Sequence, residues 1–353
     1  KPDSKKIIKK IDNLIERRIC LTNNLVIIDG QPGCGKTLFS SIISSFERVE
    51  ILNFAFEIEF VSRLFKLNKI NEDAVNSLIL MLTDLKLYQT MMGRETNFRY
   101  SDLSSVFKNP YPLRYFKRIF SKGDKAIPDK IKKSQPILSL TTHNLLNYSD
   151  AIFKAFESKL SFIEIVRHPL YMIKQQTINM RDLNGDNPRD IDLYINFKGS
   201  NIPYYAIGWE EKFINSNFVE KAIYNIENIY RINKIKRQEY NNNSSYKILT
   251  IPFEKFVFNP ENYLSKMISL LNTNFSSKTK KILLKQKIPR KKVADGINLP
   301  IYKRYLWEPS NKNLSEKEEL LKRRQWAINM GANEKSIKTL DEVSKDYENT
   351  FLK

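Results

Sequence analysis

Cysteine and histidine are almost missing from this chain: Cys20, Cys34, His143 and His168 are all that 353 residues contain. Two cysteines give no disulfide framework and no thiolate cluster, and two histidines are too few for a histidine-based metal site. A reducing compartment is therefore the default expectation, and with it a cytoplasmic address. The opening residues KPDSKKIIKKIDNLIERR lack the apolar stretch of a secretory signal, although a lysine at position 1 is compatible with a trimmed leader. No apolar run reaches the ~18–20 residues that a membrane span requires. Glycine is also scarce, with 10 in the chain, yet three of them crowd together as Gly30, Gly33 and Gly35.

What is present is a foldable enzyme composition. Hydrophobic residues make up 41% and aromatics 12%, enough for a sizeable core. The net charge of +20 raises the question of a polyanionic partner. Lysine, asparagine and isoleucine are abundant together, as low-GC coding produces, and no nucleic-acid motif is evident. Nucleic acid is therefore set aside as a partner. The stretch from Arg99 to Lys133 carries RYFKRIF and DKIKK around aromatics with few acids, which leaves an anionic partner or acceptor surface open there.

Short β-like runs alternate with helical stretches. The runs are LVIIDG (25–30), VEILNFAF (49–56), PILSLTT (136–142), SFIEIV (161–166) and YKILTIPF (246–253). Residues 73–92 and 210–234 show apolar residues at helical spacing. The alternation predicts an α/β fold with a mainly parallel sheet covered by helices on both faces. We expect one domain over residues 1–353, with a helical basic insertion at 60–135 and a charged helical tail at 314–353. Glu57 and Glu59, after the second run, are candidates for a base or a metal-side carboxylate, although the commoner expectation is that they face solvent or pair with lysine. Trp209 reads as a packing aromatic.

The three glycines belong to Gly30-Gln31-Pro32-Gly33-Cys34-Gly35-Lys36-Thr37, which fits G-x-x-x-x-G-K-[ST] between an apolar strand and a helix-compatible LFSSIISSF. Such a loop turns its backbone N–H groups on phosphate oxygens, and the helix N-terminus adds partial positive charge. Lys36 would reach terminal phosphoryl or sulfuryl oxygens. Thr37 would bond a phosphate, or hold Mg²⁺ if the ligand is ATP.

Four later stretches add to the loop: LSLTTHNLL (138–146), FIEIVRHPLYMI (162–173), TIPFEKFVFNP (250–260) and PRKKVADG (289–296). In this order the set resembles the P-loop sulfotransferase superfamily over about residues 25–296. GQPGCGKTL is similar to that family's G-x-P-[RK]-[SC]-G-T-T-L loop, Arg167-His168-Pro169 to its strand-end R-x-P, and IPFEKFVFNP to its structural Y-E-D-L-x-x-x-P. PRKKVADG is a looser match to its basic C-terminal segment.

The resemblance implies 3′-phosphoadenosine 5′-phosphosulfate as cofactor. It would be held by Gly30, Pro32, Gly33, Cys34, Gly35, Lys36, Thr37 and Leu38 at the phosphosulfate. Arg167, Gln175, Arg290 and Lys291 would hold the 3′-phosphate end. It implies His143 as the base toward an acceptor hydroxyl, with Lys36 offsetting charge as the bond breaks, and no metal. The acceptor would be hydroxylated, a glycan or another group, anionic ones included. Two places depart from the family: Gly33 stands where it has Lys or Arg, and Gln175 where it has serine. The competing reading is an ATP- and Mg²⁺-dependent kinase or NTPase, suggested by Lys36-Thr37, although no strand ends in an obvious metal carboxylate.

Overall fold

The structure is a computed structural model that describes residues 14–183, 187–297 and 313–353. Most of the N-terminal stretch read above for a signal, residues 1–13, lies outside the described residues. Five parallel strands form the central sheet: β1 (Leu25–Asp29), β2 (Asn53–Phe54), β3 (Leu138–Thr141), β4 (Leu160–Val166) and β7 (Lys247–Pro252). Their order is β2-β3-β1-β4-β7. A separate hairpin pairs β5 (Tyr194–Phe197) with β6 (Ser200–Pro203). The protein is thus α/β, with a mainly parallel sheet and helices on both faces.

The reason is visible along β1. Every residue is buried, and alternate side chains feed two different cores. Val26 and Ile28 join Ile163 and Ile165 in a core beneath the Lys36–Ile43, Pro169–Asp182 and Phe218–Asn241 helices. Leu25 and Ile27 join Leu138, Leu140 and Phe162 on the other face, under the Phe56–Lys66, Glu72–Met92 and Asp150–Phe156 helices. The chain leaves β1 toward the β2 edge, returns to β3, and then crosses to β4. The C-terminal ends of β3, β1 and β4 therefore surround a topological switch point, where parallel sheets bind ligands.

Two sequence expectations change. The run 49–56 yields a strand only at Asn53–Phe54, with a single bridge from Val49 to Ile137. Glu50 intervenes, its side chain turned inward to a buried ion pair with Arg118. The 210–234 stretch is two helices, Glu210–Ile214 and Phe218–Asn241. Asn217 divides them by a capping box, accepting from the Glu220 N–H at 3.0 Å while Glu220 Oε2 accepts from the Asn217 N–H at 3.0 Å. Trp209 donates Nε1–H to Tyr205 O and packs edge-on against Phe213.

At the carboxyl edge of the sheet, two carboxylates tie strand ends together. Asp29 accepts from Thr142 Oγ1 (2.8 Å) and from the Leu145 and Leu146 N–H groups (3.0 and 2.9 Å). Glu254, just past β7, accepts from the His168 N–H at 3.0 Å and from Tyr347 Oη at 2.6 Å. Tyr347 ends the Glu334–Tyr347 helix, which packs with the Glu316–Asn329 helix over the Pro169–Asp182 helix. Among the described residues no helix is long and apolar enough to cross a membrane.

Glu254→Ala removes both acceptors and leaves a buried N–H unpaired. It should cost about 3 kcal/mol, read as a lower urea midpoint, and should make the C-terminal helices the first segment cut in limited proteolysis.

Candidate functional site

A cavity of about 790 Å³ opens over the carboxyl ends of the strands. Its floor is the glycine loop. Gly35 has φ +100°, and a Cβ there would lie 2.4 Å from the Phe253 ring. Only glycine fits a left-handed backbone pressed against an aromatic face. Gly33 has φ +89°, and its missing side chain would meet Gln175 Oε1 at 3.3 Å and Met172 Cα at 3.4 Å. A side chain at 33 would thus be strained by the left-handed backbone and would have to push the Gln175 amide aside. Gln176 pins the loop from below, donating to Gln31 Oε1 (3.0 Å) and Pro32 O (3.2 Å).

Lys36 is 7% exposed and curls back on the loop, donating to Gly30 O at 2.5 Å and Gln31 O at 3.1 Å. Its partners are neutral carbonyls, so the charge is hydrogen-bonded but not neutralised. Thr37 and Leu38 line the same wall.

A second cationic group faces the loop. Arg167 leaves the end of β4, donates Nη1–H to Gly33 O at 2.9 Å, and lies 4.2 Å from the Phe253 ring centroid and 5.0 Å from that of Tyr171. Its Nε is buried without a hydrogen-bond partner. Burial lowers the pKa of this guanidinium; Glu254 opposes that shift and Arg323 adds to it. Arg323, from the Glu316–Asn329 helix, lies 4.6 Å from the Tyr171 ring and bonds Glu319 at 2.8 Å. Its Nε is likewise buried and unpartnered. Arg290 lies 5.5 Å from the Phe253 ring and also lines the cavity, as does Lys174. Gathering three guanidinium groups around two aromatic rings is unfavourable without an anion between them. The unpartnered Nε–H groups of Arg167 and Arg323 are donors that a phosphate would satisfy. The residues present therefore fit a ligand that carries more than one anionic group.

The opposite half of the cavity is aromatic, walled by Phe54, Phe56, Phe60, Tyr204 and Tyr205. His143 follows β3 and is stacked nearly parallel to Phe56 (5.6 Å, 5°) and Phe54 (6.1 Å, 15°). Glu59, expected at the surface, is 1% exposed. Its Oε1 accepts the His143 N–H at 3.1 Å and faces Nδ1 at 3.2 Å, while Oε2 accepts from Arg63 Nη2 at 2.8 Å. Arg63 continues to Asp192 Oδ1 at 3.0 Å and lies 4.4 Å from the Tyr204 ring centroid. Glu57 does pair with a lysine, Lys86, at 2.7 Å. Burial pushes the Asp192 carboxyl up to about 6, against the pull of Arg63.

Of the expected cofactor residues, Pro32, Gly33, Gly35, Lys36, Thr37, Leu38, Arg167, Gln175 and Arg290 line the cavity; Gly30, Cys34 and Lys291 do not. Gly30 lies behind the loop, and the Cys34 thiol points into the core, where burial raises its pKa. Lys291 is turned to solvent. His168 caps the Pro169–Asp182 helix through Nδ1 and pairs Nε2 with Glu348 at 3.1 Å, so it is structural. Sequence reading weighed Glu59 but favoured a solvent or lysine-paired role for it, and it missed Arg63, Phe253 and Arg323. The Glu59-x-x-x-Arg63 spacing was a visible helix pair, whereas nothing local marks Arg323, which reaches the cavity only because the C-terminal helices fold back.

No protein-family model matches the sequence, and no curated protein matches it. Among solved structures, the sulfotransferase domain of the Synechococcus PCC 7002 olefin synthase is similar at 11% identity, covering 92% of this chain and 98% of that one with a TM-score of 0.37. Mouse sulfotransferase SULT7A1 complexed with PAP is similar at 12% identity, covering 93% and 90% with a TM-score of 0.36. Sulfotransferase STF9 from Mycobacterium avium is similar at 11% identity, covering 90% and 78% with a TM-score of 0.39.

Gly35→Ala should abolish anion binding at the loop, because the added methyl must displace Phe253; tryptophan-fluorescence titration with inorganic pyrophosphate would read the loss. Asp192 keeps its proton to about 6 when folded, against 3.8 unfolded. Its contribution to stability is therefore fully present below about pH 4 and lost as pH rises through 6. Asp192→Asn should flatten that part of the urea stability profile.

Proposed function

We propose that this chain is a transferase that moves a sulfuryl group from 3′-phosphoadenosine 5′-phosphosulfate to a hydroxyl of an acceptor in the aromatic half of the cavity. The observation that carries the reading is the meeting of two cationic groups on the loop side of one cavity: the glycine loop with Lys36, and the guanidinium groups of Arg167, Arg290 and Arg323, of which Arg167 and Arg323 keep a buried, unpartnered Nε–H. A mononucleotide diphosphate needs only the first. The motif resemblance over residues 25–296 supports the same assignment.

The loop N–H groups and Thr37 would hold the phosphosulfate, and Arg167, Arg290 and Arg323 the 3′-phosphate. When bound, the cofactor supplies a sulfuryl group activated by a mixed anhydride. Lys36 exchanges its two carbonyl partners for an anionic oxygen and offsets charge there as it grows. Glu59, as a carboxylate, only accepts, so it fixes the Nδ1–H tautomer of His143. The lone pair is then on Nε2, free to take the proton of an acceptor hydroxyl, while Glu59 stabilises the resulting imidazolium. Phe54 and Phe56 hold the ring plane. The tyrosines at 204 and 205, with Phe60, exclude water around the reacting atoms.

The kinase reading rests on Lys36-Thr37. Against it, Asp29 at the end of β1 accepts from three donors, and Glu164 in β4 is bound by Arg237 at 2.8 Å. Neither carboxylate is available to orient Mg²⁺ beside Thr37.

Calorimetric titration distinguishes the two. Adenosine 3′,5′-bisphosphate should bind without Mg²⁺ and more tightly than ADP. Arg167→Ala and Arg323→Ala should each weaken it by about ten- to a hundredfold. A preference for Mg·ATP, indifferent to both arginines, would transfer the site to phosphoryl chemistry. With a turnover assay in hand, His143→Gln should lower kcat by about 10²–10⁴-fold without weakening bisphosphate binding.

A further inference from the structure

The helix Pro112–Ile119 buries a charge and displays large apolar side chains to solvent. Its inward face carries Tyr115, packed with Ile51 and Val106, and a buried charge: Arg118 makes a two-pronged ion pair with Glu50, 2.7 Å for each nitrogen, with a further bond to Thr90 O at 3.0 Å. Its outward face carries exposed apolar side chains beside Lys117. Leu113 is 70% exposed, and Phe120, one residue past the helix, is 87% exposed. Residues 113, 116, 117 and 120 fall on one helical face. Phe116 links that face to a second exposed group, because its ring lies 5.3 Å from Phe98 and 5.8 Å from Phe107, which in turn lies 5.7 Å from Tyr100. Tyr100 is 71% exposed. Burying an arginine while displaying leucine and phenylalanine costs free energy at both ends, and a contiguous exposed apolar patch marks a binding surface.

The surrounding charge is of one sign. Between positions 94 and 133 eleven lysines and arginines stand against four acidic residues. Lys117, Lys122 and Lys125 flank Phe120, are exposed, and make no ion pair among the described residues. Lys108 sits 4.6 Å from the Tyr100 ring centroid. A second copy of this chain would bring like charges together, so self-association does not fit the patch. A nucleic acid would find stacking rings but also Leu113 and Ile119, aliphatic side chains with no base to stack on.

We infer that this patch docks the protein on an anionic lipid bilayer, with Leu113, Phe120, Tyr100 and Phe107 entering the interface and Lys108, Lys117, Lys122 and Lys125 meeting acidic headgroups. The same segment contributes Leu103 to the wall of the cavity, so the membrane-facing surface and the site share one structural element. The inference is independent of which group the site transfers.

The test is flotation of the full chain with vesicles of phosphatidylcholine alone and of phosphatidylcholine mixed with phosphatidylserine. The protein should float only with the acidic vesicles, and less as salt rises. L113S combined with F120S should reduce partitioning by about tenfold or more. K117E combined with K122E should reduce it by at least about fivefold per residue. Both pairs are exposed, so thermal melting and bisphosphate titration should not change. Three results would overturn the inference: no preference for acidic vesicles at low salt; partitioning unaffected by the apolar pair; or an equal loss from K280E with K281E, which lie on another helix, the Thr279–Lys285 helix. Capture by soluble polyglutamate without vesicle binding would also overturn it, assigning the patch to an acidic protein.

Discussion

The carboxylate of Glu254 is the constraint on which the site depends. It stands just past the last strand of the sheet and accepts from the His168 N–H and the Tyr347 hydroxyl. The first bond sets the turn in which Arg167 leaves β4. The second anchors the helix pair that carries Arg323. Phe253, the residue before it, fills the space under Gly35 and lies under the Arg167 guanidinium. One short element thus sets the loop, the arginine turn and the returning C-terminal helices relative to one another. In a close-packed interior such positioning is rigid, because no member can shift without opening a void or stranding a donor.

On that scaffold the cavity divides by chemistry. The loop side concentrates positive charge whose internal compensation is incomplete: Lys36 rests on neutral carbonyls, and two guanidinium Nε–H groups lack acceptors. The other side is aromatic and balances its charges internally, in the chain His143–Glu59–Arg63–Asp192. An uncompensated cationic half suits an anionic donor. A compensated half with one free imidazole nitrogen suits an acceptor that must lose a proton rather than be gripped by charge. The proposed group transfer would use this division, with its oriented histidine in the apolar wall.

The helical stretch between β2 and β3 follows a different logic. Its helices close over the sheet through Tyr115, Arg118 and Ile127, while its outer surface keeps apolar side chains in water among cations. Sheet, cavity and outer patch are connected through one covalent stretch, from Phe98 to Phe120, with Leu103 at the cavity and Phe120 at the surface.

Sequence alone determined the features that local pattern encodes. Period-two and continuous apolar runs marked the five parallel strands, helical spacing marked the major helices, and the glycine loop was legible because left-handed backbone demands glycine at fixed spacing. It also placed Arg167 and His143 at strand ends. It did not separate the two helices at Asn217, although Asn217-Phe-Val-Glu220 is a capping box, nor mark the β5–β6 hairpin at Lys198-Gly199. Only the tertiary structure decided that Glu59 is buried against His143, that His168 is a cap, that Cys34 faces the core, and that Arg323 completes the cationic group. Those outcomes depend on contacts between residues far apart in the chain, and burial, partner and charge state at each are properties of the packed neighbours, which no local stretch of sequence specifies.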